Sequence, residues 1–301
     1  VYPYLKPDYM LITNLSRDSI MRNAHPEYIR DILTKYIPKE TKLILNADDL
    51  ICCGIAPENP RVYFGIEKMD TDMTDCVNLI NDLQICPQCH RRLEYEYRRY
   101  NHIGRAYCPH CGFKAPAYDY AGCHVDLDKM RIDVRDAAGI GHYRLLNESI
   151  FNIYNVVSAV ALLREIGYSH AQIETFFAKL NIVGSRYDAE TIGSRTLYRL
   201  LAKEKNAFAT TRVFDYISGL DGDKEIILMN SCQGDMKHWS ENTCWLYDCD
   251  FEFLNRDNIK NIILCGPRRF DHKLRLLLAG VPEEKLSFAE RETDAPDKLR
   301  L

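Results

Sequence analysis

The sequence predicts an α/β protein of two domains, the first interrupted by a small cysteine-bound insertion. Three observations predict this class. Apolar strand-like runs alternate with helical spacing at the start of the chain, and the alternation returns beyond residue 193. Between these regions two matched Cys-x-x-Cys pairs sit in a stretch with no helical period.

Taken in order, Tyr9–Thr13 and Lys42–Leu45 read as buried strands that end on polar residues, Asn14 and Asn46-Ala47-Asp48-Asp49. Between them Pro26–Tyr36 has helical spacing, with Ile29, Ile32, Leu33 and Tyr36 on one face. Arg61–Ile66 is a third strand, and short links between strand, helix and strand imply a parallel sheet with polar residues at the strand ends. Ile85–Pro116 turns to Cys, Tyr, Arg and Gly and reads as a compact insertion. Met130–Val134 is strand-like. Glu148–Ile166 then forms a helix with Ile153, Val156, Val157, Val160 and Leu163 in one stripe and Gly167 at its C-cap. A second helix starts at Ser169 with Gln172 completing a capping box, and runs to about Leu180. Turn residues over Asn181–Gly193 mark a boundary. The domains are therefore expected at 1–188, with the insertion at about 84–118, and at 189–301. Strands at Thr196–Leu201, Glu225–Asn230 and Asn261–Cys265 and a helix at Asp271–Ala279 make the second domain a smaller, Rossmann-like α/β unit.

Composition bounds the function. The chain has 301 residues, 46% hydrophobic and 27% charged, which suits a globular protein and excludes a disordered one. Val156–Leu163, the longest apolar stretch in a helix-like region, is too short to cross a bilayer, and no export leader opens the chain. A cytoplasmic location is expected, with peripheral contact at the inner membrane face left open. The net charge of −4 exerts no global pull on nucleic acid. Eight of the twelve cysteines are scattered without a framework and read as buried free thiols in a reducing compartment.

The other four carry chemistry. Cys86-Pro-Gln-Cys89 and Cys108-Pro-His-Cys111 are knuckles separated by eighteen residues, the pattern that closes a tetrahedron of thiolates around one zinc ion. Four protein ligands leave no open position, so the zinc is structural. Gly112 suits the positive φ such a turn needs, and His90, His102 and His110 read as surface residues or outer partners of the ligands. The ribbon is basic: six cations, Arg91, Arg92, Arg98, Arg99, Arg105 and Lys114, oppose Glu94 and Glu96, interleaved with Tyr95, Tyr97, Tyr100 and Tyr107. That texture fits a nucleic-acid module. It fits better a small ribbon whose aromatics fill its core and whose arginines form a solvated face.

Several segments together resemble one family. Lys6–Asp18, Leu45–Asp49, Val62–Ile66 and Phe151-Asn-Ile-Tyr-Asn155 are similar to blocks of the Mur ligase central domain. The four-cysteine insertion points to the MurT group, the ligase subunits of lipid II isoglutaminyl synthases. Thr210–Asp215, Trp245–Asp248, Gly266–Asp271 and Leu274–Leu276 look like the MurT C-terminal domain. The fold implied is a Mur ligase-like central domain with an inserted zinc ribbon, followed by the MurT-like α/β domain. The activity implied is ATP- and Mg2+-dependent amidation of the D-glutamate α-carboxylate of the lipid II stem peptide through an acyl phosphate. Ammonia would come from a GatD-like glutaminase partner. By the same resemblance Asn155 and Asn152 hold the adenine, Arg186 lies near the ribose or phosphates, and Asn14, Asp18, Asn46 and Asp48 face the nucleotide cleft. Helix capping is the competing role for the two asparagines, and Asn46–Asp49 is also ordinary turn composition.

Two departures stand out. No Gly-Lys pair occurs, so the family's phosphate loop is missing from this sequence and would be expected before Val1. Where the family carries an acid three residues before the tryptophan, proposed to assist the ammonia, this chain has Asn242, with Glu241 and Asp248 nearby as candidate substitutes. The rival reading is a non-catalytic Mur-like scaffold that binds a partner or nucleic acid through the ribbon.

Overall fold

The computed structural model describes residues 2–17, 25–180, 187–203, 206–229 and 243–300. The chain divides into two compact units, Val1–Ser16 with His25–Val183, and Arg17–Ala24 with Gly184–Leu301.

The first unit runs α1 (Tyr2–Leu5), β1 (Tyr9–Ile12), α2 (Pro26–Tyr36), β2 (Lys42–Asn46), α3 (Leu50–Cys53), β3 (Arg61–Ile66), β4 (Glu94–Tyr100), β5 (Ile103–Tyr107), β6 (Tyr120–Asp126), β7 (Arg131–Asp136), β8 (Gly139–Arg144), α4 (Ile150–Glu165) and α5 (His170–Ala178). Six strands form one sheet in the order β1-β2-β3-β6-β7-β8. The first four are parallel, with Leu11 opposite Ile44 and Ile44 opposite Val62. β7 and β8 add antiparallel. The expected parallel sheet is thus extended by an antiparallel edge, of which β7 matches the strand read at Met130–Val134, whereas β8, with Gly139 and Gly141, has no apolar alternation to announce it.

Burial explains the apolar run of β2, an inner strand. Leu43, Ile44 and Leu45 are all fully buried, as expected of a strand covered on both faces. Leu43 and Leu45 join a cluster with Ile37, Ile51 and Ile55, against which Ile29 and Leu33 of α2 pack. Ile32 and Tyr36 of α2 are exposed, so its apolar face is narrower than its spacing suggested. α4 packs on β2, β3 and β6 through Ile153, Val156, Val157 and Val160, with Leu163 half-buried. A Cβ at Gly122 on β6 would lie 2.8 Å from Val157, so glycine there lets helix and sheet approach. Gly167 follows α4 with φ +103, and the Ser169–Gln172 capping box opens α5.

The second unit contains the hairpin β9 (Tyr187–Ile192) and β10 (Arg195–Leu200), then α6 (Ala207–Gly219), β11 (Lys224–Met229), β12 (Ile259–Cys265), α7 (Arg269–Leu278) and β13 (Leu286–Phe288). β11, β12 and β13 make a three-stranded parallel sheet. Its core gathers Phe214, Trp245, Phe251, Leu254, Ile262 and Leu276. β9 falls within the segment read as turns, because Tyr-Asp-Ala-Glu-Thr-Ile has no apolar face and, among the described residues, pairs with β10 alone. α6 carried no such warning against it: Asn206 caps it by accepting from the Ala209 amide at 2.7 Å.

Of the scattered cysteines that are described, Cys52, Cys123, Cys249 and Cys265 are buried, Cys53 and Cys76 half-buried, and Cys244 exposed; none forms a disulfide. Cys232 lies outside the described residues. Among the described residues no helix is long and apolar enough to cross a membrane.

Candidate functional site

The four cysteines converge. Their sulfurs all lie within 4.8 Å of one another, with Cys86 to Cys111 at 3.6 Å and Cys89 to Cys108 at 3.5 Å. Disulfides are excluded at those separations. Ligands about 2.3 Å from a tetrahedral centre stand roughly 3.8 Å apart, so the cage has the size a metal ion requires.

Both knuckles use the same backbone pattern. The Cys86 amide donates to Arg91 O and the Cys108 amide to Phe113 O, both at 2.8 Å. His90 N returns to Cys86 O at 3.0 Å and Gly112 N to Cys108 O at 3.1 Å. His90 and Gly112 occupy matching places with φ +59 and +75, so His90 fills a left-handed slot that glycine fills in its twin. The thiols also disagree in acidity. Burial raises the pKa of Cys108, but amides from Cys111 and His110 more than reverse this and bring it to about 7. At Cys111 the Phe113 amide favours the thiolate, yet burial and the neighbouring thiols push the pKa up to about 12. Four thiolates in one cage need a cation to ionise together.

Beside the cage the ribbon is clamped to the sheet by one arginine. The Arg99 side chain is 2% exposed; Nη1 reaches Asp48 at 3.0 Å and Tyr154 Oη at 2.7 Å. Nη2 reaches Ile66 O at 2.8 Å, Glu67 O at 2.7 Å and Asp72 at 3.1 Å. Asp48, itself fully buried, also accepts from Tyr154 at 2.7 Å, Tyr118 at 2.5 Å and the Ile66 amide at 3.1 Å. Burial disfavours the Arg99 charge, but Tyr154, Asp48 and Asp72 outweigh it and hold the group protonated. Burial, then Asp48, pushes the phenols of Tyr118 and Tyr154 far up, so both remain donors. Gly65 is required here: a Cβ would meet the Tyr118 ring at 2.1 Å. The Gly104 amide adds a bond to Asp48 O at 2.8 Å.

This network corrects the reading of the ribbon. Arg98 is 7% exposed and the Arg99 side chain is buried, so neither belongs to a solvated face. Arg99 falls on the face of the buried Tyr95 and Tyr97, and bulges at Tyr95/Tyr97 and Arg98/Tyr100 break the alternation that would have turned Arg98 outward with Glu94 and Glu96. Tyr95, Tyr97 and Tyr100 are buried in the ribbon. His102 is buried with Nε2 3.3 Å from Asp49, the N-cap of α3, whereas His90 and His110 are exposed.

The nucleotide candidates separate into groups. Asn152 is half-buried and Asn155 exposed near the start of α4, where Ser149 and not either asparagine takes the cap position. Asn14 is half-buried just beyond β1. Asn46 and Asp48 do not offer free side chains at a strand end. Asn46 is buried, donating to Thr13 O at 3.0 Å and accepting from the Asp48 amide at 3.0 Å. Asp48 is spent on the Arg99 network. Asp18, Arg186, Glu241 and Asn242 lie outside the described residues. Asp248, within the second unit, stands 3.4 Å from Arg17.

The architecture is that of the Mur ligases. A pseudomurein peptide ligase type C from Methanothermus fervidus superposes with a TM-score of 0.67 at 19% identity, covering 98% of this chain and 54% of that one. MurF from Acinetobacter baumannii gives 0.58 at 14%, covering 98% and 54%. The resemblance to the MurT group also holds. Residues 204–300 match the family model of the MurT ligase C-terminal region. The MurT subunit of lipid II isoglutaminyl synthase (glutamine-hydrolyzing) of Staphylococcus aureus strain COL is 28% identical over 279 residues, 91% of this chain and 61% of that protein. The Streptococcus pneumoniae R6 subunit of the same name is 28% identical over 290 residues, 94% and 62%. The chain thus spans about three-fifths of the length of these relatives.

Proposed function

We propose that this chain is the nucleotide-binding and C-terminal part of a ligase that amidates the D-glutamate α-carboxylate of the lipid II stem peptide to D-isoglutamine. The similarity to MurT subunits over 91% of the chain carries this reading, supported by the cysteine cage set in a Mur-type sheet. A carboxylate is a poor electrophile. Phosphoryl transfer from ATP to a carboxylate oxygen gives an acyl phosphate and ADP; ammonia then attacks the carbonyl carbon, and phosphate leaves with the C–O electron pair. Mg2+ would neutralise charge on the nucleotide's phosphates. Ammonia would come from a GatD-like glutaminase, and lipid II would be met at the inner face of the membrane.

In this reading Asn155, open to solvent, reads the adenine edge, with Asn152 one turn back on α4 and Asn14 beyond β1. Arg186 serves the ribose or phosphates, and Glu241, Asn242 and Asp248 are the candidates for guiding ammonia. Cys86, Cys89, Cys108 and Cys111 hold a structural zinc, which suits an all-thiolate set without an open position. Through Arg99 the ribbon keeps Asp48 and Tyr154, and with them the ends of β2 and α4, in register.

The test is incubation of the full-length gene product with its glutaminase, ATP, glutamine and lipid II, followed by mass analysis of the stem peptide. Conversion of one carboxyl to an amide is expected. Unchanged peptide with an active glutaminase would refute the proposal.

A further inference from the structure

A groove of about 600 Å³ on the first unit is lined by none of the nucleotide candidates; Asn81, Arg92, Tyr95 and Arg98 line it together with Asp75 and Glu94. Arg98 is the unusual member. Its backbone is held by Met73, whose amide donates to Arg98 O at 3.0 Å, and its guanidinium lies 3.7 Å from the Tyr95 ring centroid. Only 7% of the residue is exposed, and the buried Nε has no acceptor. No described carboxylate forms an ion pair with it, while its neighbour Arg99 has two. Asp75 and Glu94 are exposed, and Glu94 accepts from Tyr107 at 2.8 Å. A cation taken out of water without a counter-charge is costly, and a ligand bearing one recovers that cost.

Arg92, exposed on the same groove, supplies a second fork of donors. Two guanidinium groups, one held 3.7 Å over an aromatic ring, suit the lone pairs of an oxyanion. The groove's volume falls in the range that takes a small organic molecule, so the anion would be one end of a larger ligand. We infer that the groove between Arg92 and Arg98 is an oxyanion-binding site that takes a phosphate or carboxylate group. The inference stands apart from the ligase reading, since it uses neither the asparagines nor the cysteine cage.

The experiment follows the Arg98 Nε–Hε resonance of the whole protein by NMR, assigned through its own backbone, during titration with inorganic phosphate in one arm and acetate in the other. A saturable shift is expected in at least one arm, and the arm that saturates identifies the anion type. Binding should weaken at least tenfold in Arg92→Ala and in Asn81→Asp, which places a negative charge in the groove, and should persist in Asn155→Ala. Absence of a saturable shift in both arms overturns the proposal, as does a titration unaltered by Arg92→Ala and Asn81→Asp.

Discussion

Replacing Arg99 with methionine removes a buried cation of similar length and leaves Asp48 and Asp72 facing each other's side of an emptied site. Asp48 keeps Tyr118, Tyr154 and the Ile66 amide, but Asp72 retains only the Met69 amide at 2.9 Å. Ile66 O still accepts from Tyr97 at 2.8 Å, whereas Glu67 O loses its donor. Each hydrogen bond to a charged group contributes about 1.5–3 kcal/mol, but five such bonds to one guanidinium are not additive. Breaking one side of a buried pair sets the scale instead, about 3–5 kcal/mol. For a unit of this size that corresponds to a fall in Tm of roughly 10 °C. Arg99→Lys keeps the charge but cannot span Asp48, Asp72 and two carbonyls, so about half the loss is expected. The assay is urea unfolding of the first unit's transition, read by tyrosine fluorescence and repeated with metal content measured. A loss below about 1 kcal/mol for Arg99→Met, with the fold and metal intact, would refute the clamp.

Three further outcomes follow from the same structure. Cys108→Ser should lose stoichiometric zinc and the protection of the β4–β5 amides from hydrogen exchange; full metal retention would contradict the cage. Asn155→Ala should raise the KM for ATP of the assembled enzyme about tenfold, the value of one hydrogen bond near 1.4 kcal/mol, and an unchanged KM would remove Asn155 from the nucleotide site. Burial alone would raise the Asp136 carboxyl, but Arg164 at 2.7 Å, the Ala138 amide and His170 overcome it and hold the pKa below the ordinary value. A carboxyl depressed on folding stabilises the protein above its unfolded pKa, near 3.9, and that stability drains away as pH falls through the lower folded value. Asp136→Asn should therefore flatten the acid limb of stability below about pH 4, and an identical acid limb would show that the pairing contributes nothing.

What could be read from the sequence follows the strength of its periodicity. α2, α4 and α5 and strands β1 to β3 announce themselves because each carries an apolar stripe or run. β8 and β9 do not, since glycines and polar residues there build strands by pairing and not by hydrophobic contrast, although their partners β7 and β10 do read as strands. Cysteine spacing exposed the cage directly, because two knuckles at that separation have little else to do. The clamp was hidden for the opposite reason. In Glu-Tyr-Glu-Tyr-Arg-Arg-Tyr the charges look solvated, and only the burial of Arg99 on the face of Tyr95 and Tyr97, with the bulges that turn Arg98 inward, reveals otherwise. A pair of adjacent arginines closing an alternating strand, with Asp48 in a buried strand end far away, was the one available signal. Asn46 and Asp48 show the converse error: polar residues at a parallel strand's end suggest a ligand, yet here they are occupied by Thr13 and Arg99.

The reading as a carboxylate-activating ligase is tested most directly by isotope transfer. Lipid II carrying 18O in the D-glutamate α-carboxylate, converted by the full-length protein with its glutaminase and ATP, should deliver one labelled oxygen into the released inorganic phosphate. Amide formation with unlabelled phosphate, or phosphate release without any amide, would contradict it.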